Sequence, residues 1–269
     1  MDWEDLEYAV EVRGPDPQQI ACRKRLRDFF ESNEQQVFFA NQLAVQNEKD
    51  FFHWITHRAI ADLIRSKQIK TEVRQMKTGA PIRLLWHRGH RYFKRDAARV
   101  VRLVEEYSDP NVCAYLGLHG ETMILRGFAR KRFTLLGEHT REFRERTWER
   151  TDHNLDFVFE RDEAAYGIEV KNALSYMDQK EFRIKIALCE QLGLRPIFAA
   201  RMLPKTWIKE LIDAGGYAMI LKYQLYPWTH LDLARRVAKE LGLPVDAPKA
   251  LADGTMDRFE RWHLEKGVN

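Results

Sequence analysis

The sequence predicts an α/β chain in which a helical N-terminal module carrying a short β-hairpin precedes a mixed central sheet flanked by helices. Three observations predict it. Apolar residues recur at helical spacing through the first third of the chain. Two alternating runs joined by a glycine turn then interrupt them. From Cys113 onward the order reads helix–strand–strand–strand–helix–strand–helix–strand. At 269 residues the length suits one large domain or two small ones, and 45% hydrophobic residues against 31% charged ones rule out wholesale disorder.

The elements follow in order. Residues 1–16 read as an acidic arm closed by the turn Gly14-Pro15-Asp16-Pro17. Ile20, Leu26, Phe29 and Phe30 then mark a first helix, Val37 to Leu43 a second, and Phe51 to Ile64 a third with Trp54, Ile55, Ala59, Ile60, Leu63 and Ile64 on one face. Thr71–Met76 alternates, Lys77-Thr78-Gly79-Ala80-Pro81 breaks the pattern, and Ile82–Trp86 resumes it. Such a hairpin behind a helix cluster resembles the wing of a winged helix-turn-helix. Phe93–Tyr107 closes the module, and Ser108-Asp109-Pro110 marks its boundary, so residues 17–108 read as a winged-helix-like DNA-binding domain.

The second part changes rhythm. Cys113–Phe128 is helical, and Phe133–Leu136 is a candidate strand. Leu155–Phe159 and Tyr166–Lys171 are strands separated by the charged turn Glu160 to Glu163. A helix over Asp178–Leu192 stops at Gly193, followed by a strand at Arg195–Ala200, a helix at Pro204–Ala214 and a strand at Gly216–Leu221. Residues 110–222 therefore form the α/β core. Residues 223–269 are a C-terminal helical extension, with helices near Leu231–Leu241 and Met256–Glu265.

Charge is informative only locally. The 44 Lys and Arg exceed the 40 Asp and Glu by just four, yet between Arg83 and Arg102 seven basic residues face the single acid Asp96. Arg83, Arg88, Arg91, Lys94 and Arg95, beside Trp86, Tyr92 and Phe93, make a patch suited to a phosphate backbone, where cations displace condensed counterions. His53 and His57 sit four apart on the third helix. That spacing can bind zinc, but no third ligand is evident, and DNA contact or solvent exposure is the better reading.

The chemistry is carried by charges inside strands that otherwise read as buried. Alternate side chains share a strand face, so Glu169 and Lys171 point away from Ile168 and Val170, and Asp156 points away from Phe157 and Phe159. If the two strands are neighbours, two carboxylates and an ammonium meet on one side of the sheet. Such a set suits a hard divalent cation.

Asp156, a twelve-residue gap, Glu169-Val170-Lys171, then Asn172 and a helix together resemble the PD-(D/E)XK nuclease superfamily, whose core is helix, three-stranded meander, helix and strand. Residues 113–200 follow that order. Leu155-Asp156 replaces the name-giving Pro-Asp. The resemblance implies a restriction-endonuclease-like core and a Mg²⁺-dependent DNA endonuclease, with Mn²⁺ able to substitute. Asp156, Glu169 and the Val170 carbonyl would hold the metal, Lys171 would orient the attacking water or stabilise the transition state, and Glu121 would assist from the first helix. Glu138 and Glu142 are weaker matches for that helix acid. Cutting both strands of a duplex is compatible with a homodimer, and branched DNA is an equally compatible substrate. The other reading is a DNA-binding or regulatory protein with an inactive nuclease-like domain.

Arg141, Arg144, Arg146, Trp148 and Arg150 precede the Asp156 strand and suit the DNA backbone or an exposed base, or simply a solvated basic loop. His153, three residues before Asp156, is a candidate DNA or leaving-group contact, and a satisfied structural histidine otherwise. Lys180, Arg183 and Lys185 read as helix-surface charges facing DNA or solvent. Gly117-Leu118-His119-Gly120 lacks the preceding strand and the Lys-Ser/Thr of a phosphate loop. Cys22, Cys113 and Cys189 are widely spaced, and the acidic N-terminus lacks a hydrophobic stretch behind it. With no apolar run near the ~18 residues a bilayer requires, these features predict a cytoplasmic protein without a membrane span.

Overall fold

A computed structural model describes residues 16–267, so the acidic arm predicted over residues 1–16 lies outside the described residues apart from Asp16. The chain divides into two compact units, one ending at Glu105 and the other beginning at Glu106. The division falls in the last turn of a helix, slightly ahead of the Ser108-Asp109-Pro110 break.

The first unit begins with α1 (Pro17–Ser32). Its first turn is capped by the Asp16 carboxylate, which accepts from the Gln18 N–H, and Pro17 takes the first helical position, where no N–H is needed. β1 (Val37–Phe39), α2 (Ala40–Asn47), α3 (His53–Arg65), β2 (Ile69–Gln75), β3 (Pro81–His87) and α4 (Phe93–Tyr107) follow. The three strands form an antiparallel sheet in the order β1-β3-β2, with Phe38 opposite Leu85 and Val73 opposite Arg83. Leu26 and Phe30 of α1, Leu43 of α2, Ile60 and Leu63 of α3 and Leu85 of β3 share one core. Trp86 and Phe93 stack at 4.1 Å and 9°, and the buried His90 bonds Asp96 at 3.1 Å, which fixes the start of α4 on the end of β3.

Val37–Leu43 is not a single helix, because its first three residues are the strand β1, all three of them buried. Large β-branched and aromatic side chains fit the pleated surface beside Leu84–Trp86 better than a helical turn.

The second unit is built on a five-stranded mixed sheet in the order β10-β9-β8-β7-β4. β4 (Thr134–Thr140), β7 (Leu155–Arg161) and β8 (Ala164–Lys171) form an antiparallel meander, and β9 (Arg195–Ala200) and β10 (Tyr217–Ile220) add in parallel through crossover helices. α5 (Pro110–Arg130) precedes the meander, α6 (Gln179–Leu192) links β8 to β9, and α7 (Lys205–Asp213) links β9 to β10. The short hairpin of β5 (Glu142–Phe143) and β6 (Arg146–Thr147) lies between β4 and β7. β11 (Gln224–Leu225), α8 (Leu231–Leu241), β12 (Val245–Asp246) and α9 (Asp253–Trp262) complete the unit.

The sheet has two unlike faces. Phe157, Phe159, Tyr166 and Ile168 pack with Met123, Ile124 and Phe128 of α5 and with Met256 and Phe259 of α9. α9 of the C-terminal helical extension fills part of this core. On the other face, Val158 packs with Leu188, Cys189 and Leu192 of α6. The β7–β8 loop is the two-residue turn Asp162-Glu163, both at positive φ, the backbone twist that joins right-twisted strands without splaying them. Asp162 is held there by the buried His263, whose other ring nitrogen meets the Tyr166 hydroxyl at 2.6 Å.

Among the described residues no helix is long and apolar enough to cross a membrane, and the three cysteines are free, Cys22 and Cys189 buried and Cys113 exposed.

Candidate active site

The β7–β8 ladder ends at the pair Phe157–Ile168, and one residue further the two strands part. There the Asp156 carboxylate takes over from the lost backbone partner: its Oδ2 accepts the Val170 N–H at 2.7 Å. Glu169 lies beside it on β8, only 6% exposed, on the face covered by α6. Asp156 and Glu169 therefore share one side of the sheet, as alternation predicts.

Two buried carboxylates this close oppose each other's ionisation. Burial raises the Asp156 pKa, against the pull of the Val170 N–H, Lys185 and His139. Burial first, and the Asp156 charge second, push Glu169 up to about 8, although Lys185 favours its ionised form. Glu121 on α5 is raised by burial and then by Asp156, which places it in the same electrostatic cluster. Glu138 adds to that repulsion from β4, whereas Glu142 lies in the small β5 strand.

The cation seated on the cluster is not the one expected. Lys185, read from sequence as a surface charge on α6, is 5% exposed, and its Nζ donates to Glu169 Oε2 at 2.5 Å and to the Asn154 carbonyl. A signal for it was present. Phe182, Lys185, Cys189 and Leu192 recur at helical spacing, and all four are buried, so this lysine occupies a core position of an amphipathic helix. Lys171 lies on the Glu169 side of β8, half-buried, and makes no ion pair among the described residues.

His139 is a second residue that sequence reading missed. It sits in β4 one step past the Glu138–Phe157 pair, alongside Asp156, in a left-handed conformation (φ 46°) unusual for a non-glycine residue in a strand. Its Nε2 lies 3.7 Å from Glu121, and its carbonyl accepts from Asn154 Nδ2. It thus bridges the α5 acid and the β7 acid.

Asn172 fixes the end of β8 behind Lys171. Its side-chain amide donates to the Leu116 and Leu225 carbonyls and its Oδ1 accepts the Leu225 N–H, all at 2.7 Å. Gly120 on α5 leaves the space this clamp occupies, since a Cβ there would stand 2.5 Å from the Asn172 Cβ. Alanine in a helix interior normally gains about 1 kcal/mol over glycine. Gly120→Ala is nonetheless expected to destabilise the chain by about 1–3 kcal/mol through overpacking. Urea unfolding checks this, and a stabilised variant would show that the clamp yields.

The remaining candidates are dispersed. Arg146 lies against Gly193 at the far end of α6, and the partner of the His153 ring is the Thr151 hydroxyl at 2.9 Å, so neither is aimed at the carboxylates. In the first unit Arg88, Arg91, Lys94 and Arg95 are exposed beside Tyr92, itself 82% exposed. Arg83 instead stands near His57 on the half-buried side of β3. His53 and His57 are half-buried rather than on an open polar face. Burial lowers both, His57 to about 4, which works against either ring carrying a charge to a phosphate.

Among the described residues no group of three or more His, Cys, Asp or Glu side chains is placed to hold a metal ion. The metal donors that do converge are the two carboxylates, while the Val170 contact is its N–H, which takes one Asp156 oxygen. Mg²⁺ commonly binds through one or two carboxylates while keeping several waters, so this donor set fits it. The raised carboxylates also mark a place where positive charge is wanted. No family model, curated protein or solved structure matches the chain.

Proposed function

We propose that the chain is a Mg²⁺-dependent DNA endonuclease of the PD-(D/E)XK type, whose first unit is a winged-helix-like DNA grip. The observation that carries this reading is the adjacency of Asp156 and Glu169 at the point where β7 and β8 part, beside Lys171, with Glu121 close by. The order helix, three-stranded meander, helix, strand supports the superfamily core. The β1-β3-β2 sheet behind three helices, with its Met76–Ala80 turn, supports the winged-helix reading.

In this reading Asp156, Glu169 and the Val170 carbonyl hold the ion, the Val170 N–H fixes one Asp156 oxygen, and Lys185 keeps Glu169 in place. When bound, Mg²⁺ neutralises charge on the phosphate and acidifies water. Lys171 orients the attacking water or donates to a phosphate oxygen as charge builds there. Glu121, with His139 Nε2 at 3.7 Å, orients a water from the α5 side. Arg88, Arg91, Lys94 and Arg95 bind duplex phosphates.

Incubation with plasmid and branched DNA in Mg²⁺ or Mn²⁺ tests the reading. Cleavage is expected, and it should vanish in Asp156→Asn while DNA binding persists. A second reading, a DNA-binding protein with an inactive domain, is favoured by one observation: Lys185 Nζ already lies 2.5 Å from Glu169 Oε2, a position a metal ion would have to contest. DNA bound but uncut by the native chain in both metals would establish it.

The electrostatics also fix a pH dependence. Without metal, the folded chain holds a proton on Glu169 between its ordinary value near 4.5 and about 8, where the unfolded chain has lost it. Stability therefore falls as pH rises through that window, the contribution being complete below 4.5. Mg²⁺ selects the ionised carboxylate, so its affinity should climb by up to about tenfold per pH unit below pH 8 and then level off. The Mg²⁺-induced rise in melting temperature, followed from about pH 6 to about pH 9, checks this. An increment independent of pH would sink it.

A further inference from the structure

α6 carries two stripes with different work. Glu181, Lys185 and Leu188 face the sheet and the carboxylates. Lys180, Arg183, Ile184 and Ala187, at the i, i+3, i+4, i+7 spacing, face outward into a groove of about 500 Å³. The opposite wall is the segment after β6, with Trp148, Arg150 and Thr151. That wall is rigidly built. The Trp148 ring is buried and its Nε1 donates to Thr151 Oγ1 at 3.0 Å, Thr151 also meets the His153 ring, and the Arg150 guanidinium lies 5.3 Å over the Trp148 ring. Three residues past Thr151, the Asn154 carbonyl accepts from Lys185, whose other partner is Glu169. One short backbone path therefore joins the groove wall to the carboxylate cluster.

The lining has a definite chemistry. Ile184, Ala187 and the Trp148 edge are apolar. Arg150 and Lys180 are exposed cations at the rim, and Arg183 shares its charge with Glu210 at 3.0 Å. An intact duplex offers such a groove only phosphates and sugars, because its bases are stacked inside. An unpaired nucleotide offers a flat base for the exposed Arg150 guanidinium, which covers the buried Trp148 ring, and for the Ile184–Ala187 stripe, and a phosphate for Lys180.

On the reading that the chain acts on DNA, we infer that this groove seats an unpaired nucleotide beside the scissile phosphate, so that the substrate class is DNA with a single-stranded feature: a gap, flap or branch. Full-length protein carrying Asp156→Asn, bound to DNA with 2-aminopurine either in a single-stranded gap or paired within a duplex, tests it. Emission should change on binding only for the gapped probe, which should bind about tenfold more tightly than the intact duplex. In Arg150→Ala/Lys180→Ala, both changes at exposed positions, that preference should disappear at unchanged melting temperature. The slope of log affinity against log salt for the gapped probe should fall by roughly 1.4, or about 0.7 for each lost single-strand phosphate contact. Equal affinity for gapped and intact DNA, or equal weakening of both in the double variant, would overturn the inference. Its failure is distinguishable from that of the nuclease reading. A native chain that cuts intact and gapped DNA alike overturns the groove alone, whereas a groove response without any cleavage sustains the groove and removes the nuclease.

Discussion

Lys185→Met should destabilise the second unit by about 3–5 kcal/mol at about pH 9, above the Glu169 value, where that carboxylate is ionised beside the ammonium, and this is more than any surface charge could cost. Lys185 and Glu169 are both nearly inaccessible, and taking away the ammonium leaves a buried carboxylate and the Asn154 carbonyl without their donor. Methionine preserves the packing of the side-chain stem against its neighbours, so the loss measures charge and hydrogen bonding more than a cavity. At this size the change corresponds to a fall in melting temperature of about 10 °C. Two further measurements identify the cause. Glu169→Gln in the Lys185→Met background should recover much of the loss, since the orphaned charge is then gone. Mg²⁺ should stabilise Lys185→Met more than the native chain, because the ion meets a carboxylate pair no longer served by an ammonium. A loss under about 1 kcal/mol would mean that Glu169 simply takes up a proton, and that the pair holds nothing together.

Lys185 also shows where the sequence stopped being readable. β7 and β8 were legible because alternation is a local property: Leu155-Asp156-Phe157 and Ile168-Glu169-Val170 each announce two faces. That Asp156 would replace a backbone partner for Val170 was not, because it depends on where the β7–β8 ladder ends, and neither strand encodes that alone. β1 was missed for a related reason. Val37–Phe39 runs into α2 without a glycine or proline, and it becomes a strand only beside Leu84–Trp86, some 45 residues later in the chain. His139 gave no sign, since a left-handed residue within a strand is normally announced by glycine, as at Gly79 in the β2–β3 turn. Lys185 differs from these. Its spacing with Phe182, Cys189 and Leu192 was visible, and the habit of assigning lysine to the surface overrode the period.

The two lysines then separate structure from chemistry. Lys171→Ala should lower the DNA cleavage rate by about 10²–10³-fold, the usual consequence of removing one donor to a developing charge, while melting temperature and DNA affinity stay close to native. Lys171 is half-buried at the end of β8 and makes no ion pair among the described residues, so its removal strands no partner. Asn172 and the pairing of Lys171 with Ala200 on β9 hold the backbone in place without its side chain. Lys171→Arg should recover little, because a planar guanidinium does not present the compact ammonium that can orient a water at the same point. Single-turnover cleavage at saturating protein reads the chemical step apart from binding. If Lys171→Ala cuts at the native rate while a folded Lys185→Arg is inactive, the catalytic ammonium is the one on α6, and the Glu-x-Lys resemblance has pointed to the wrong residue. If both cut normally, the carboxylate pair is not where the phosphodiester is broken.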